Sequence, residues 1–350
     1  MLESLITTCK KLEKDWDRER FPDLAKKTLE KLIIEPSLEE FEKEVSEWLN
    51  NNDLVPQLNL YNNFGEPSLT VFNNGKFALD IYFWRKNDTL IHSHGFRGAF
   101  KIMYGLSLHE DFVVETLNTF SKDILNTKLT QKNIKVMKPG DSQQINPDME
   151  LTHRVVHLGD PTVSLCLRTV EDTELNQWHH LTTGLSFQKK HVSEKTIKRS
   201  LYFQYLLKSD EKKAKDFYQK LLDELSSAEQ ISLYEAVCFD QVGLDEETTE
   251  TAAEILFESF IGDTWFGFYE AHFDKLEQNL QESLAGSPAL KLLAHAINND
   301  FAKKQVVELL SEISDQSLDE LCEELKNSPE VFVEGFGGSQ LDTIEHFKIS

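Results

Sequence analysis

The spacing of apolar residues along the chain changes twice and so divides it into three stretches. From about Ser4 to Leu49, apolar residues recur at helical intervals, which predicts two helices. The second helix is announced by Ser37-Leu-Glu-Glu40, because a serine can cap the first free amides while a glutamate three residues later reaches back to it. The sequence therefore predicts an N-terminal helical segment, residues 1–55.

Between about Leu58 and Lys190, short runs of β-branched and aromatic residues alternate with turn-forming residues. The clearest runs are Phe77–Trp84, Ala99–Tyr104, Phe112–Thr116, Val155–His157, Val163–Arg168 and Gly184–Phe187. Several short strands at close spacing indicate a sandwich or barrel rather than alternating βαβ units. We predict a barrel domain over residues 56–191, with His109 and Glu110 in a turn.

After His191 the pattern becomes that of long amphipathic helices, with capping boxes at Ser226–Glu229 and Ser317–Glu320. No fixed-period repeat is visible, so a solenoid is not supported. The sequence predicts an all-helical domain over residues 192–350, in which His295 is expected to have no catalytic role. The Gly-rich stretch 333–339 is predicted to be a loop or tail.

Composition narrows the class of partner. The chain has 350 residues, 40% of them hydrophobic, which suffices for two packed cores. A net charge of -23 repels phosphate backbones and anionic lipid heads, so we expect neither a nucleic acid nor a membrane partner. No long apolar run occurs, and the first residues are charged where a secretory signal needs an apolar core. We therefore predict a cytoplasmic protein, in which four widely separated cysteines stay reduced.

Two histidines separated by one residue, His92 and His94, follow a predicted turn and begin an extended stretch. On a strand, the side chains of residues i and i+2 leave the same face, at a separation that suits one metal ion. An HxH pair alone is also typical of two histidines on an exposed strand face. The sequence by itself leaves both interpretations open.

A second segment supplies a third histidine, because the turn formers of Met137–Asp141 lead towards a strand that carries His153. Three neutral imidazoles leave the double charge of a metal ion to be balanced by an anionic ligand, and leave positions open for substrate and dioxygen. Asp141 follows Pro139-Gly140 and is better explained as a turn residue than as a ligand. We keep the three-histidine assignment.

Residues 69–187 resemble cysteine dioxygenase and its thiol dioxygenase relatives, which are cupins. The matching pieces, in order, are Asn74-Gly-Lys-Phe77, the strand ending at Trp84, Ile91-His-Ser-His94, Ile145-Asn146, His153-Arg-Val155 and Pro161-Thr-Val-Ser-Leu165. The resemblance implies an α+β protein with a cupin-type jelly-roll barrel (a double-stranded β-helix). It also implies that His92, His94 and His153 are the three Fe(II) ligands of a dioxygenase.

The chain departs from the family where the family binds its substrate. The family commonly has Ser, His and Tyr spaced two apart after the third ligand, whereas this chain has Ser164, Cys166 and Arg168. Ala99 occupies the position of the cysteine that forms a thioether crosslink in animal members, so that crosslink cannot form. The family's carboxylate-binding arginine has no counterpart in the Gly65–Leu69 region. These departures argue against free cysteine as the substrate.

Two arginines are candidates for binding an acidic group of the substrate. Alternation from Ser164 puts Arg168 on the same strand face, and a guanidinium can bind a carboxylate through two hydrogen bonds. The alternative is an arginine at the barrel rim paired with an acidic neighbour. Arg97, three residues beyond His94, is the second candidate.

The leading hypothesis from the sequence is a non-haem Fe(II) dioxygenase that uses O2 on a small thiol or another anionic chelating substrate, free or carried on a peptide or protein. Ser164 would then tune the surroundings of the metal. One alternative is a cupin metalloenzyme with a non-thiol substrate. Another is a metal-sensing or small-molecule-sensing cupin whose helical domain recruits a partner protein. The helical domain is also a candidate for dimerisation.

Overall fold

The structure, a computed structural model, describes residues 1–33, 36–51, 53–58, 64–85, 89–170, 175–238, 241–278, 287–299, 301–327 and 344. The predicted Gly-rich loop at 333–339 lies outside these residues. The strands are β1 (Ser68–Asn73), β2 (Phe77–Trp84), β3 (Ile91–His94), β4 (Gly98–Tyr104), β5 (Ser107–Ser121), β6 (Ile124–Met137), β7 (Ser142–Ile145), β8 (Asp148–His157), β9 (Thr162–Thr169), β10 (Trp178–His180) and β11 (Leu185–Gln188).

The α-helices in these ranges are α1 (Leu2–Leu12), α2 (Phe21–Glu30), α3 (Leu38–Asn51), α4 (Glu194–Leu207), α5 (Glu211–Leu222), α6 (Ser227–Cys238), α7 (Glu246–Phe260), α8 (Phe266–Gln278), α9 (Pro288–Asn298), α10 (Lys303–Leu310) and α11 (Leu318–Asn327). Strands therefore precede most of the helices along the chain, as the sequence predicts for an α+β protein.

The pairing of strands β2 to β9 is that of a jelly roll. Strand β2 pairs with β9, β3 with β8, and β4 with β7, while β5 and β6 are neighbours, all of which is the pattern of one long hairpin. Rolling that hairpin up brings β9 beside β4 and β8 beside β5, and both of these pairs are present. The result is a five-stranded sheet, β1-β2-β9-β4-β7, and a second, closed sheet, β10-β11-β6-β5-β8-β3. This strand order confirms the predicted cupin-type barrel.

The described residues of the N-terminal segment form three α-helices, so the prediction of two is wrong. Asp17 Oδ1 accepts a hydrogen bond from Arg20 N (3.1 Å), which closes a turn after α1. Pro22 then lies in the first turn of α2, where its missing amide costs no hydrogen bond. The predicted capping box of α3 is confirmed, because Ser37 N donates to Glu40 Oε2 (2.7 Å) and Glu40 N donates to Ser37 Oγ (3.3 Å).

Alternation along the strands separates the barrel interior from its two outer faces. In β9, Val163, Leu165 and Leu167 point outward into a core that they share with α1, α2 and α3, whereas Ser164 and Cys166 point inward. The outward residues of β5 and β8 are instead covered by α9, α10 and α11. Burying one large apolar side chain contributes roughly 1.5–3 kcal/mol, so both outer layers stabilise the sheets that form the barrel.

The chain forms two compact units. One unit consists of residues 1–113, 130–175 and 273–350, and the other of residues 114–129 and 176–272. The first unit contains α1–α3, the strands around the barrel interior and α9–α11, and the second contains the outer ends of β5 and β6, β10, β11 and α4–α7. Each unit is made of separate segments of the chain, whereas each predicted domain is one continuous segment. The predicted boundaries at residues 55 and 191 stay predictions.

Candidate metal centre

Three histidines come together inside the barrel because of the register between β3 and β8. His92 and His94 leave the same face of β3, and the antiparallel register places His153 directly opposite His92. One ring nitrogen from each residue can be chosen so that all three lie within 4.8 Å of one another. The Nε2 atoms of His94 and His153 are 2.9 Å apart. Two imidazole nitrogens bound at right angles, each about 2.0–2.1 Å from an ion, lie about 2.9 Å apart, so this spacing suits a shared metal.

The same three rings are held in the protonation state that a metal requires. Their exposed fractions are 4%, 4% and 3%, and burial lowers the pKa of His92 and takes the pKa values of His94 and His153 well below the usual 6.5. His92 Nδ1 lies 2.8 Å from the carbonyl of Leu90, and donating its proton there leaves Nε2 with a free lone pair. The cluster thus fits a divalent ion of the kind that imidazole binds.

A small cavity of about 50 Å³ opens between the two sheets beside the cluster. One water-sized atom needs roughly 10–15 Å³ of such space, so the cavity holds about three to five atoms. Its walls are largely apolar and aromatic, formed by Phe64, Tyr82, Trp84, Phe96, Phe100, Ile102, Ile145 and Val155, with Thr89, Ser164, Cys166 and the histidines as the polar groups. A cavity of this size admits a small ligand or the reactive end of a larger one.

Of the three non-histidine residues predicted for the site, Ser164 lines the cavity, where its Oγ accepts a hydrogen bond from Trp84 Nε1 (3.1 Å). Arg168 pairs with buried Asp80 (Nε to Oδ2, 2.7 Å) and lies over the ring of Phe96 at 5.1 Å. Arg97 pairs with Glu19 (3.2 Å). The structure therefore places Ser164 in the wall of the cavity beside the cluster, packs Arg168 against Phe96, and pairs Arg97 with an N-terminal residue.

The carboxylate that holds Arg168 has further donors. Asp80 accepts hydrogen bonds from the hydroxyls of Thr70 (2.7 Å) and Tyr82 (3.0 Å) as well as from Arg168. Burial and the neighbouring Asp80 charge hold the pKa of Tyr82 well above 10, so its hydroxyl remains a donor. This group of residues joins β1, β2 and β9 at the end of the barrel next to His94.

Two further histidines line the cavity. His109 is stacked on Phe100, with ring centroids 5.1 Å apart, and its Nε2 lies 3.0 Å from Ser107 Oγ. His157 is stacked on Trp84 at 4.3 Å, and burial, with the nearby Lys291 charge, lowers its pKa to about 3. The prediction that His109 lies in a turn is wrong, because Ser107–Ser121 is a strand. Once β5 is known to be a strand, alternation places His109 on the same face as Ser107 and Asp111.

On the opposite face of β5 and β8, Glu110 is the centre of a buried charged network, so the predicted turn is wrong for this residue too. Its Oε1 accepts hydrogen bonds from Arg154 Nε and His295 Nε2, both at 2.7 Å, and its Oε2 accepts one from Gln131 (2.8 Å). Burial alone raises the pKa of Glu110, but the His295 hydrogen bond and the Arg154 charge together outweigh burial and lower it. Arg154 also donates to Asn299 (3.0 Å), so α9 is tied to the strand that carries His153.

Asp141 is confirmed as a turn residue, since its Oδ2 accepts a hydrogen bond from Lys138 N (2.8 Å). No acidic residue joins the three-histidine cluster in the described part of the chain. None of the described helices is both long enough and apolar enough to span a bilayer.

Comparisons with known proteins give remote structural likenesses. No protein-family model matches the chain, and no curated protein matches it. A DMSP lyase from Ruegeria pomeroyi DSS-3 is 12% identical, with a TM-score of 0.27 over 45% of this chain and 76% of the other. Hydroquinone 1,2-dioxygenase from Sphingomonas sp. TTNP3, with 4-hydroxybenzoate bound, is 9% identical, with a TM-score of 0.24 over 32% and 73%.

In a further structure of DMSP lyases, the matched protein is 14% identical with a TM-score of 0.22, and the match covers 31% of this chain and half of the other (50%). At these identities and TM-scores, the likenesses say nothing about the ligand or reaction of this chain. Its strand pairing and its three buried histidines do carry a conclusion. The chain has a cupin-type jelly roll with a site that fits one metal ion.

Proposed function

We propose that the barrel is an iron-dependent oxidoreductase, in which His92, His94 and His153 hold one Fe(II) and O2 oxidises a small thiol or another anionic chelating substrate. The observation that supports this proposal is the convergence of three buried, neutral imidazoles within 4.8 Å of one another. Fe(II) in such a site supplies electrons for dioxygen chemistry and a positive charge that attracts an anion.

The choice of an anionic substrate follows from the charge of the site. Three neutral ligands leave the double charge of the ion uncompensated, and no carboxylate belongs to the cluster in the described residues. A thiolate or a chelating oxyanion supplies the missing charge. The aromatic walls limit how much water surrounds the substrate, which strengthens this attraction.

The side chains around the cluster have separate roles in this proposal. Ser164, fixed by the Trp84 indole, presents its hydroxyl to the cavity and orients the bound substrate. Arg168 attracts an acidic group, which is supported by its position over Phe96, a ring 4.9 Å from that of His94. The ion pair between Arg168 and Asp80 instead favours the alternative of an arginine paired with an acidic neighbour. Arg97 remains the second candidate for the same role.

The metal assignment is tested by elemental analysis of the purified protein. Wild-type protein should carry close to one metal ion per chain after exposure to Fe(II), and His92→Ala should lose most of it. His191→Ala is the matched control, because His191 is exposed. Equal metal content in the wild type and the His92→Ala variant would refute the site.

The reaction is tested by oxygen consumption of the Fe(II)-loaded protein with a panel of thiols, thiol-bearing peptides and non-thiol acids. Uptake with a thiol, absent in His92→Ala, is the expected result. In Arg168→Ala, KM for an acidic substrate should rise while metal content changes little. Oxygen uptake with non-thiol acids alone would show that the substrate is a chelating acid and not a thiol. Binding of these compounds without oxygen uptake would show that the protein is a sensor and not an enzyme. The cytoplasmic location and a protein partner or dimer contact formed by the helices stay predictions.

A further inference from the structure

His109 carries a ring nitrogen, Nδ1, that no described residue of the chain engages. The residue is 1% exposed, its Nε2 is engaged by Ser107, and its Nδ1 has no hydrogen-bond partner among the described residues. A buried polar atom left in this state costs roughly 1–3 kcal/mol. Such an atom is accounted for if something outside the chain binds it.

The register of β5 and β8 shows where His109 lies. It is paired with Val155, so it sits diagonally between His153 and His157 on the inward face of the sheet. All four residues line the same cavity. The ring of His109 is 5.9 Å from that of His153, centroid to centroid, which puts it next to the cluster but outside the group of three ligands.

The contact with Ser107 allows His109 to respond to an anion. A serine hydroxyl can either accept a hydrogen bond from Nε2 or donate one to it. When the hydroxyl donates, the neutral imidazole carries its proton on Nδ1 and offers it as a donor. Stacking on Phe100, with the two rings within 14° of parallel, fixes the plane in which that donor lies.

We propose that His109 donates a hydrogen bond from Nδ1 to a small anionic ligand held at the three-histidine centre, and so helps to select that ligand. This inference rests on the proposed function, because it assumes that a metal holds the anion. The cavity volume of about 50 Å³ restricts the part of the ligand inside the barrel to about three to five non-hydrogen atoms. A thiolate or a compact oxyanion meets both conditions.

Azide is a suitable probe, since it is a three-atom anion that accepts hydrogen bonds. The protein is loaded with Co(II), whose visible absorption reports ligand binding, and titrated with azide. Three variants separate the two ring nitrogens. His109→Phe keeps the stacking and removes both nitrogens, His109→Asn keeps a polar group near the Nδ1 position, and His109→Gln keeps one near the Nε2 position.

His109→Phe and His109→Gln should raise the dissociation constant of azide about tenfold, whereas the dissociation constant for His109→Asn should stay within about threefold of the wild-type value. His191→Ala, which changes an exposed histidine that does not line the cavity, is the matched control and should leave azide affinity unchanged. Equal azide affinity in the wild type, His109→Phe and His109→Asn would overturn the inference. The inference would also be overturned if only His109→Gln retained the wild-type azide affinity, because that result would assign azide binding to Nε2, the nitrogen that contacts Ser107.

The result is distinguishable from a failure of the proposed function. If Co(II) does not bind, or binds equally well to His92→Ala, the metal centre itself is refuted, and the assignment of His109 with it. If Co(II) binds normally to every His109 variant while azide affinity stays constant, only the inference about His109 fails. Should His109→Phe not fold, the comparison of His109→Asn with His109→Gln still decides between the two nitrogens.

Discussion

Acid should unfold the metal-free barrel at a pH at which most proteins are stable. Among the residues that the structure describes, five histidines line its interior, and burial is the main cause of the lowered pKa of each: His92, His94, His109, His153 and His157. In the unfolded chain these rings have a pKa of about 6.5. Below that pH the unfolded state binds more protons than the folded state, so stability falls as the pH falls.

The size of the effect follows from the number of rings. At pH 5.5, one unit below the unfolded pKa, each histidine that stays neutral in the fold lowers the free energy of unfolding by about 1.4 kcal/mol. Five such rings lower it by up to about 7 kcal/mol, against a total stability of about 5–15 kcal/mol for typical proteins. Glu110 affects stability at lower pH than the histidines do. Its pKa in the fold lies below the usual 4.5, so its contribution to stability is lost as the pH falls from 4.5 through this lowered pKa.

The measurement is urea unfolding of chelator-treated protein at pH 7.5, 6.5 and 5.5, followed by tryptophan fluorescence. In His157→Phe, which preserves an aromatic partner for Trp84, the difference between pH 7.5 and pH 5.5 should shrink by about 1.4 kcal/mol. His191→Asn should leave it unchanged, because that exposed ring is not buried by folding. A free energy of unfolding that is the same at pH 7.5 and 5.5, within about 1 kcal/mol, would refute the reasoning.

Three other perturbations have defined outcomes. Glu110→Gln should lower the free energy of unfolding by about 3–5 kcal/mol, because it leaves the Arg154 guanidinium largely buried without a carboxylate; a loss under about 1 kcal/mol in urea unfolding would contradict this. Arg168→Ala should lower the free energy of unfolding by a similar amount, because it leaves the buried Asp80 carboxylate without its cation. Adding Asp80→Asn to this variant should recover part of the loss, whereas strictly additive losses would show that the pair is not coupled. Saturating Zn(II) should raise the Tm of the wild type at pH 5.5 but not that of His92→Ala, and equal shifts in both would place the ion elsewhere.

The fold of the barrel could be predicted because its signal is local. Period-two alternation identifies strands and puts His92 and His94 on one face without knowledge of any partner strand. Turn formers before His153 mark the return of the chain into the barrel. What the sequence does not contain is the register of the long hairpin, and it is the β3–β8 register that pairs His92 with His153.

The strand that carries His109 could not be recognised by the same rule. A half-buried strand is expected to have one apolar face, but in β5 polar residues lie on both faces, with His109 inward and Glu110 outward. Glu110 is tolerated there because His295, 185 residues further along, donates a hydrogen bond to it. The local sequence contains no sign of a partner at that distance. A run that contains Ser, His, Glu and Asp therefore predicts a turn, because its composition is that of a turn.

Because this separation is so large, the sequence alone predicts no catalytic role for His295. In the fold, however, the helices after residue 287 are connected to the metal centre. Successive residues of a strand point to opposite faces, so His153 points to the cluster while Arg154 points to α9. A contact that fixes Arg154 on the outside therefore also fixes the backbone that presents His153 on the inside. His295 Nε2 bonds to Glu110, and its physical role is to hold Glu110 and Arg154, and through them the third ligand, in place. A metal site assembled from two strands thus depends on a helix that the local pattern assigns to a different part of the molecule.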